Sequence, residues 1–268
     1  MLATVSTHFN HIPVKFKLSI LLVIGTLTTS GQKVKEMSPT LGYLVDKSSE
    51  KEIEFIKAQE KCEIIWQKIS NEEDIKKLTP EEKQIPDSCS EDVETYWDIL
   101  GSGCSWYCGG GQDTSSASSE LKPFKGYKYL AKYSHDLSYK TAWVEGVPGY
   151  GIGEYLVYYF PPENPRITEI IVVNGYVKSE KLWRENSRVK KLKMYVNDKP
   201  FAYLNLDDSR QEQSFKFEPI GNSDRANWDK LQLLPWWTLK FEILEVYKGD
   251  KYDDTAITEI YFEGIDVH

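Results

Sequence analysis

A mainly β protein, an antiparallel sandwich or jelly roll preceded by a small α-helical region, is what this 268-residue sequence predicts. Three observations carry that prediction. Apolar residues recur at alternating steps of three and four between Ser49 and Ile69; the period falls to two after Pro123; and a Gly/Ser-rich stretch, CGGGQDTSSASSE, separates the two regimes. With 40% apolar and 13% aromatic residues, the chain has the material for a sizeable core.

The N-terminus comes first. Lys15 and Lys17 precede the uncharged apolar run LSILLVIGTL, which gives way to TTSG. A positive start, a short apolar run and small residues are the layout of a secretory signal cleaved near Gly31. The run is too short to span a bilayer as a helix. Residues 1–31 are therefore expected to be a signal peptide, with no transmembrane segment, and the protein to be secreted, periplasmic or held in the cell envelope. The formal net charge is −8, and residues 1–31 contribute two lysines and no acid, so their removal makes the chain more acidic. The acid excess falls mainly in residues 32–122. An acidic chain without a basic stripe argues against nucleic acid and anionic membrane as partners.

Residues 32–122 are expected to be a helical, disulfide-stapled region ending in the Gly/Ser-rich loop. Phe55, Ala58, Cys62, Ile65 and Ile69 form one stripe of an amphipathic helix. Thr79-Pro80-Glu81-Glu82 is a capping box with proline at the first helical position. Ser90 followed by Glu91, Asp92 and Glu94 predicts another helix, running toward Tyr96, Trp97, Ile99 and Leu100. The four cysteines, Cys62, Cys89, Cys104 and Cys108, favour two disulfides in an exported chain, and three pairings are possible. The local pairs Cys62–Cys89 and Cys104–Cys108 are preferred. The spacing in CSWYC is not that of a zinc knuckle or a thioredoxin motif, which argues against a metal there.

From residue 123 to residue 268, short β-branched or aromatic runs alternate with turn signals. EYLVYYF, ITEIIVV, KKLKMYV, FAYLNL, SFKF, LKFEIL and EIYFEGIDV read as strands, and PPENPR, VNDKP and DDSRQ as turns. The Gly-rich GVPGYGIGE enters a strand rather than a helix and lacks G-K-[ST], so it reads as a connecting turn and not a phosphate loop.

Catalytic patterns are missing. Beyond residue 31 the only histidines are His135 and His268, and no HExxH, G-x-S-x-G or Walker motif is present. Carboxylates are abundant, but abundance describes a solvated surface. No enzyme is expected.

Three stretches remain: KTAWVEG (140–146), NGYVKSEKLWRENSRVK (174–190) and YKGDKYDDTAITEIYFEG (247–264). In this order, on a β-sandwich, they resemble the discoidin-like, coagulation factor 5/8 type C family of galactose-binding-like domains. The closer resemblance is to the branch found beside bacterial NAD glycohydrolases, the NADase-type glycan-binding domain. It covers roughly residues 123–268, with CSWYCGG as an N-terminal extension. The resemblance implies an eight-stranded antiparallel jelly roll whose end loops bind sugars, without catalytic machinery of its own. It also implies a structural calcium tying the loop before the Thr-x-Trp strand to the last strand. Asp136 would supply a carboxylate, Thr141 a hydroxyl or carbonyl and Glu259 the returning acid, while Trp143 anchors the strand in the core. The alternative is a metal-free knot in which Asp136 caps a turn and Thr141 pairs with Glu259.

Sugar recognition needs an aromatic platform and planar polar groups. NGYVKSEKLWREN offers Tyr176, Lys178, Trp183, Arg184 and Asn186, with Arg188 at the next strand's edge; Trp236, beside Trp237, is a second candidate platform. Against this, Trp183 would equally cover the sandwich end, and Arg188 would equally brace Asp207-Asp208. The expected function is an exported, non-catalytic carbohydrate-binding protein whose partner is a glycan or glycoprotein. The alternative is a protein–protein adhesion or adaptor module of the cell envelope. The oligomeric state is left open.

Overall fold

The computed structural model describes residues 34–69, 71–83, 93, 95–101, 104–111 and 114–267. The expected signal peptide, Cys89 and the helix start at Ser90 lie outside the described residues.

Among the described residues, eleven strands form the body: β1 Lys35–Met37, β2 Thr40–Leu44, β3 Thr114–Ala117, β4 Trp143–Val144, β5 Tyr155–Phe160, β6 Arg166–Asn174, β7 Ser187–Val196, β8 Lys199–Asn205, β9 Gln211–Ile220, β10 Trp237–Tyr247 and β11 Thr255–Ile265. One layer runs β2-β9-β6-β11 with β4 paired to β11; the other runs β1-β8-β7-β10-β5-β3. The layers meet where β11 and β7 run parallel, at Thr255 opposite Ser187 and Ala256 opposite Arg188. Most other pairings are antiparallel, so the chain is the mainly β sandwich that the period-two pattern predicts.

That pattern is visible in the burial. On β10, Trp237, Leu239, Phe241 and Ile243 point inward, and on β5 Leu156, Tyr158 and Phe160 do. Phe160 stacks on Trp237 with centroids 4.3 Å apart, and Trp106 sets its edge against Phe262 at 5.7 Å. Each such ring contributes about 2–3 kcal/mol by leaving water. Trp143 is fully buried at the start of β11's β4 partner strand, as a core anchor.

The expected boundary at residue 122 needs correction. Eight strands, β4–β11, do lie beyond it, but β1 pairs with β8, β2 with β9 and β3 with β5. The segment 32–122 thus supplies strands to both layers. These strands are short, and β2 is exposed along its whole length, so no alternation betrays them. They are recognised by the partner edges they cover.

The helical part is smaller than its pattern implies. Helix α1, Ser49–Lys68, is capped by Ser48, whose hydroxyl accepts the Lys51 N–H, and within it only Ile65 is buried. Helix α2, Glu72–Lys77, is capped by Asn71. The capping box is present: the Glu82 N–H reaches Thr79 Oγ1 at 3.2 Å and the Thr79 N–H reaches Glu82 Oε2 at 2.9 Å. The helix expected to run through Tyr96 and Trp97 is instead a turn at 95–98, because Asp98 accepts both the N–H and the hydroxyl of Thr95 and then bridges to Ser138. Val45, Trp97, Ile99 and Leu100 pack on the outer face of the first layer, against Ile171, Val173 and Tyr261.

The cysteine expectation divides. Cys62 is disulfide-bonded. Cys104 and Cys108 are thiols that hydrogen-bond each other, which corrects the expected bridge. The Cys108 sulfur is occupied as a helix cap, accepting the Ser105 N–H at 3.3 Å at the head of the 3-10 turn Trp106–Cys108. No helix among the described residues is long and apolar enough to cross a membrane.

Candidate functional site

Loops at one end of the sandwich enclose a cleft of about 370 Å³. Its floor is a small apolar cluster of Ala142, Val144, Tyr176 and Ala256, with Leu121, Tyr129 and Leu182 packed around it. Three segments make the walls. The first is a tight turn, Phe124 to Tyr127, closed by reciprocal backbone bonds of 3.1 and 2.9 Å. Lys125 and Gly126 there have φ of 48° and 86°, the left-handed pair a two-residue hairpin loop requires. This turn pushes Phe124, 64% exposed, to the cleft mouth.

The second wall is the connection from β6 to β7, which holds helix α3, Glu180–Glu185, between the Ser179 and Asn186 caps. The third is the β10–β11 loop, fixed to the end of α3 by N–H bonds from Asp250 to the Arg184 carbonyl and from Tyr252 to the Glu185 carbonyl. Gly249 is required there, since a Cβ would lie 2.5 Å from the Asn186 carbonyl carbon. Tyr252 and Asp254 from this loop complete the lining with Lys122, Glu185 and Asn186. Burial, and then the Asp254 carboxylate with the neighbouring phenols of Tyr127 and Tyr252, raise the Tyr129 pKa.

The structure distributes the seven expected ligand residues unevenly. Tyr176 and Asn186 line the cleft. Lys178 reaches its neighbourhood, with Nζ 5.0 Å from the Tyr127 ring centroid. Trp183 is not part of the cleft lining: its indole N–H bonds the Asn174 carbonyl at 2.9 Å and its ring carries the Arg188 guanidinium at 4.5 Å. Arg188 is buried and grips Asp208 with both nitrogens, at 2.7 and 3.0 Å, while also reaching the carbonyls of Trp183 and Asn186. Arg184 pairs with Glu180 on the helix surface. Trp236 is half-exposed but precedes the first residue of β10, whereas the cleft loop follows its last; eleven residues of strand separate them by about 35 Å. Phe124, Tyr252, Glu185 and Asp254 also line the cleft, outside the expected set. The sequence signal for Phe124 is FKGY, two aromatics flanking a Lys-Gly tight turn.

Beside the cleft strand, the loop from His135 to Thr141 is tied to β11. Thr141 donates its hydroxyl to Asp136, 2.8 and 2.7 Å from the two carboxylate oxygens, not to Glu259. Glu259 is fully buried; its Oε2 accepts the Ser138 N–H at 3.4 Å, and the N–H groups of Leu137 and Asp136 also point toward its carboxylate. Leu137 adopts φ of 56°, which turns these donors inward. Burial, reinforced by the nearby Asp136 charge, raises the Glu259 pKa well above the carboxylate range. Oε1 of Glu259 has no hydrogen-bond partner. Among the described residues no group of three or more His, Cys, Asp or Glu side chains could hold a metal ion, and the Thr141 hydroxyl is committed to Asp136.

A larger cavity of about 530 Å³ lies between α1 and the outer face of the first layer. Lys47 is among its lining residues; its Nζ sits 4.3 and 4.5 Å from the Tyr96 and Tyr139 ring centroids and donates to the Tyr96 carbonyl. Burial lowers this lysine to about 8. The cavity is a seam between the N-terminal region and the sandwich.

A β-sandwich with a loop-walled aromatic cleft and an acid-centred clamp on its last strand is a discoidin-like domain. The model of the NAD glycohydrolase translocation F5/8 type C domain family matches residues 106–263, and the chain belongs to that family. The matched span contains the cleft and the clamp together. Among solved structures, the chain is similar to the CBM32-1 and CBM32-2 domains of Clostridium perfringens ZmpB, at 12% identity and TM-score 0.40, covering 57% of this chain and 34% of that one. It is similar to CpGH89CBM32-5 of Clostridium perfringens, solved with GalNAc-β-1,3-galactose, at 18% identity and TM-score 0.39, covering 56% and 94%. It is also similar to the mycobacterial arabinofuranosyltransferase AftD, at 15% identity and TM-score 0.39, covering 60% and 11%. The chain thus spans about a third of the ZmpB structure. No curated protein matches the chain.

Proposed function

We propose that this protein is an exported, non-catalytic glycan-binding protein that holds a sugar in the loop-end cleft. The observation that carries the reading is the cleft itself: about 370 Å³, floored by apolar side chains, with Phe124, Tyr252 and Tyr129 for the C–H face of a sugar and Asn186, Glu185 and Asp254 for its hydroxyls. The sandwich frame fixes these groups before any ligand arrives, which limits the ordering cost of binding. Export rests on the sequence of residues 1–31. Calcium would be held by Asp136, Thr141 and Glu259; it would neutralise the buried acid and fasten the His135–Thr141 loop to β11, taking no part in sugar contact. Titration calorimetry of the folded protein against a panel of neutral, amino and acidic saccharides tests the reading; silence across the panel would defeat it.

A second reading, a protein–protein adaptor, is favoured by one observation. Ile53, Ile56 and Ile64 of α1 are each about half-exposed on one side of the helix. Capture of an envelope protein that is lost in an Ile53/Ile56/Ile64→Ser triple variant, with no saccharide bound, would put this reading first.

A further inference from the structure

The cleft's polar groups are mainly acceptors. Asn186 is only 9% exposed and donates one amide N–H to the Leu182 carbonyl at 2.8 Å, which leaves its Oδ1 and a second N–H to the cleft that it lines. The Asp254 carboxylate makes no ion pair and no side-chain hydrogen bond among the described residues, and burial together with Asp253 raises its pKa. Glu185 has only distant, solvated partners, Lys251 at 3.9 Å and Lys181 at 4.0 Å. Lys122 is the one cationic side chain in the lining, and it belongs to an exposed residue. Around these acceptors stand aromatic rings whose faces attract cations.

Carboxylate and amide acceptors whose donor neighbours in the lining are Lys122, the second Asn186 N–H and the Tyr129 and Tyr252 hydroxyls, set beside aromatic rings, suit a ligand that brings protons. Resting on the glycan reading above, we propose that the cleft selects an amino sugar, reading its ammonium group with Asp254, Asn186 Oδ1 and the aromatic faces, and that it disfavours sugars carrying a carboxylate. A neutral sugar supplies hydroxyl donors and binds; an ammonium supplies three donors and a charge opposite to Asp254; a uronic acid brings a like charge and more acceptors.

The experiment is calorimetry at pH 6 with galactosamine, galactose and galacturonate, on the whole protein and on Asp254→Asn. The expected result is galactosamine binding about five-fold or more tighter than galactose, galacturonate weakest, and the galactosamine-to-galactose ratio falling to about one in the variant. Galacturonate binding as tightly as galactose, as Lys122 would permit, overturns the inference, as does equal binding of all three. Either outcome leaves the glycan reading standing, whereas binding of no sugar removes both. If Asp254→Asn does not fold, the order of the three sugars on the unaltered protein still decides.

Discussion

Oε1 of Glu259 lies 3.6 Å from Nδ1 of His135, and both side chains are buried beneath the loop that Thr141 and Asp136 close. The imidazole is not an ionic partner. Its Nδ1–H donates to the Ile260 carbonyl at 2.5 Å, and its Nε2 accepts from the Tyr107 hydroxyl at 3.3 Å, which fixes the neutral tautomer. Burial lowers the His135 pKa to about 4, from 6.5. Beside it, Glu259 is driven the opposite way, toward its protonated form. Burial in this dry site thus works against a charge on either group.

Acid stability follows from the histidine. Its folded pKa lies below its unfolded value, so its contribution is fully present above about pH 6.5 and is lost as pH falls toward 4. The difference of about two and a half units corresponds to roughly 3 kcal/mol. Urea denaturation at pH 7 and pH 4.5 should show a smaller loss in His135→Asn than in the unaltered protein. Equal losses would mean that the imidazole is already charged in the folded state.

Calcium should act on the same knot from the other side. Raised above its unfolded value, the Glu259 pKa makes the metal-free fold weaken as pH rises through the carboxylate range toward the folded pKa. A cation held at Oε1, as proposed above, would relieve that. At a hundred-fold excess over its dissociation constant, calcium would then stabilise by about 2.7 kcal/mol, which for a domain of this size would raise Tm by roughly 5–10 °C. Glu259→Gln should abolish the response. A Tm indifferent to both calcium and chelator would assign the knot to hydrogen bonds alone.

Arg188 illustrates how a side chain with ligand-binding chemistry serves the frame. Buried between Trp183 and Asp208, it holds the end of α3 through the Asn186 carbonyl at 2.9 Å. Arg188→Ala strips these acceptors of donors and should cost about 2–4 kcal/mol in urea denaturation, the half-exposed Asp208 keeping the loss below that of a fully buried pair. Arg188→Lys should recover little, since an ammonium cannot reproduce the two-pronged grip. Full stability in the lysine variant would show that charge alone matters.

How much of this was legible in the sequence depends on whether a residue's partner lies on the same strand or far away. Burial on β10 repeats every second residue, so Leu239, Phe241 and Ile243 announce a strand by themselves. Strands β1, β2 and β3 carry no such rhythm; their existence is dictated by the bare edges of β8, β9 and β5, which no local window contains. The loop from Asp136 to Thr141 is expected from the family resemblance, with Thr141 pairing Glu259 in its metal-free form; its hydroxyl pairs with Asp136 instead. The cleft was half readable. Tyr176 and Asn186 sit in one conspicuous loop with Trp183 and Arg188, but composition cannot separate residues facing out of that loop from those facing in. Phe124 and Tyr252, 128 residues apart in the sequence, come to one cleft only through the fold.

The cleft aromatics provide the sharpest mutational contrast. Phe124 is 64% exposed at the head of its turn and Tyr252 is 39% exposed on the β10–β11 loop, so neither supports the core. Phe124→Ala and Tyr252→Ala should leave Tm within a degree or two, while each weakens saccharide binding about ten-fold, or about 1.4 kcal/mol, through loss of the ring under the sugar's C–H face. Trp236→Ala removes a larger exposed ring from the other end of β10 and should leave binding unchanged. The comparison holds ring removal constant and varies only position. If Trp236→Ala is the variant that loses binding, the recognition surface lies at the opposite end of the sandwich, and the acceptor-lined cleft is not where this protein grips its partner.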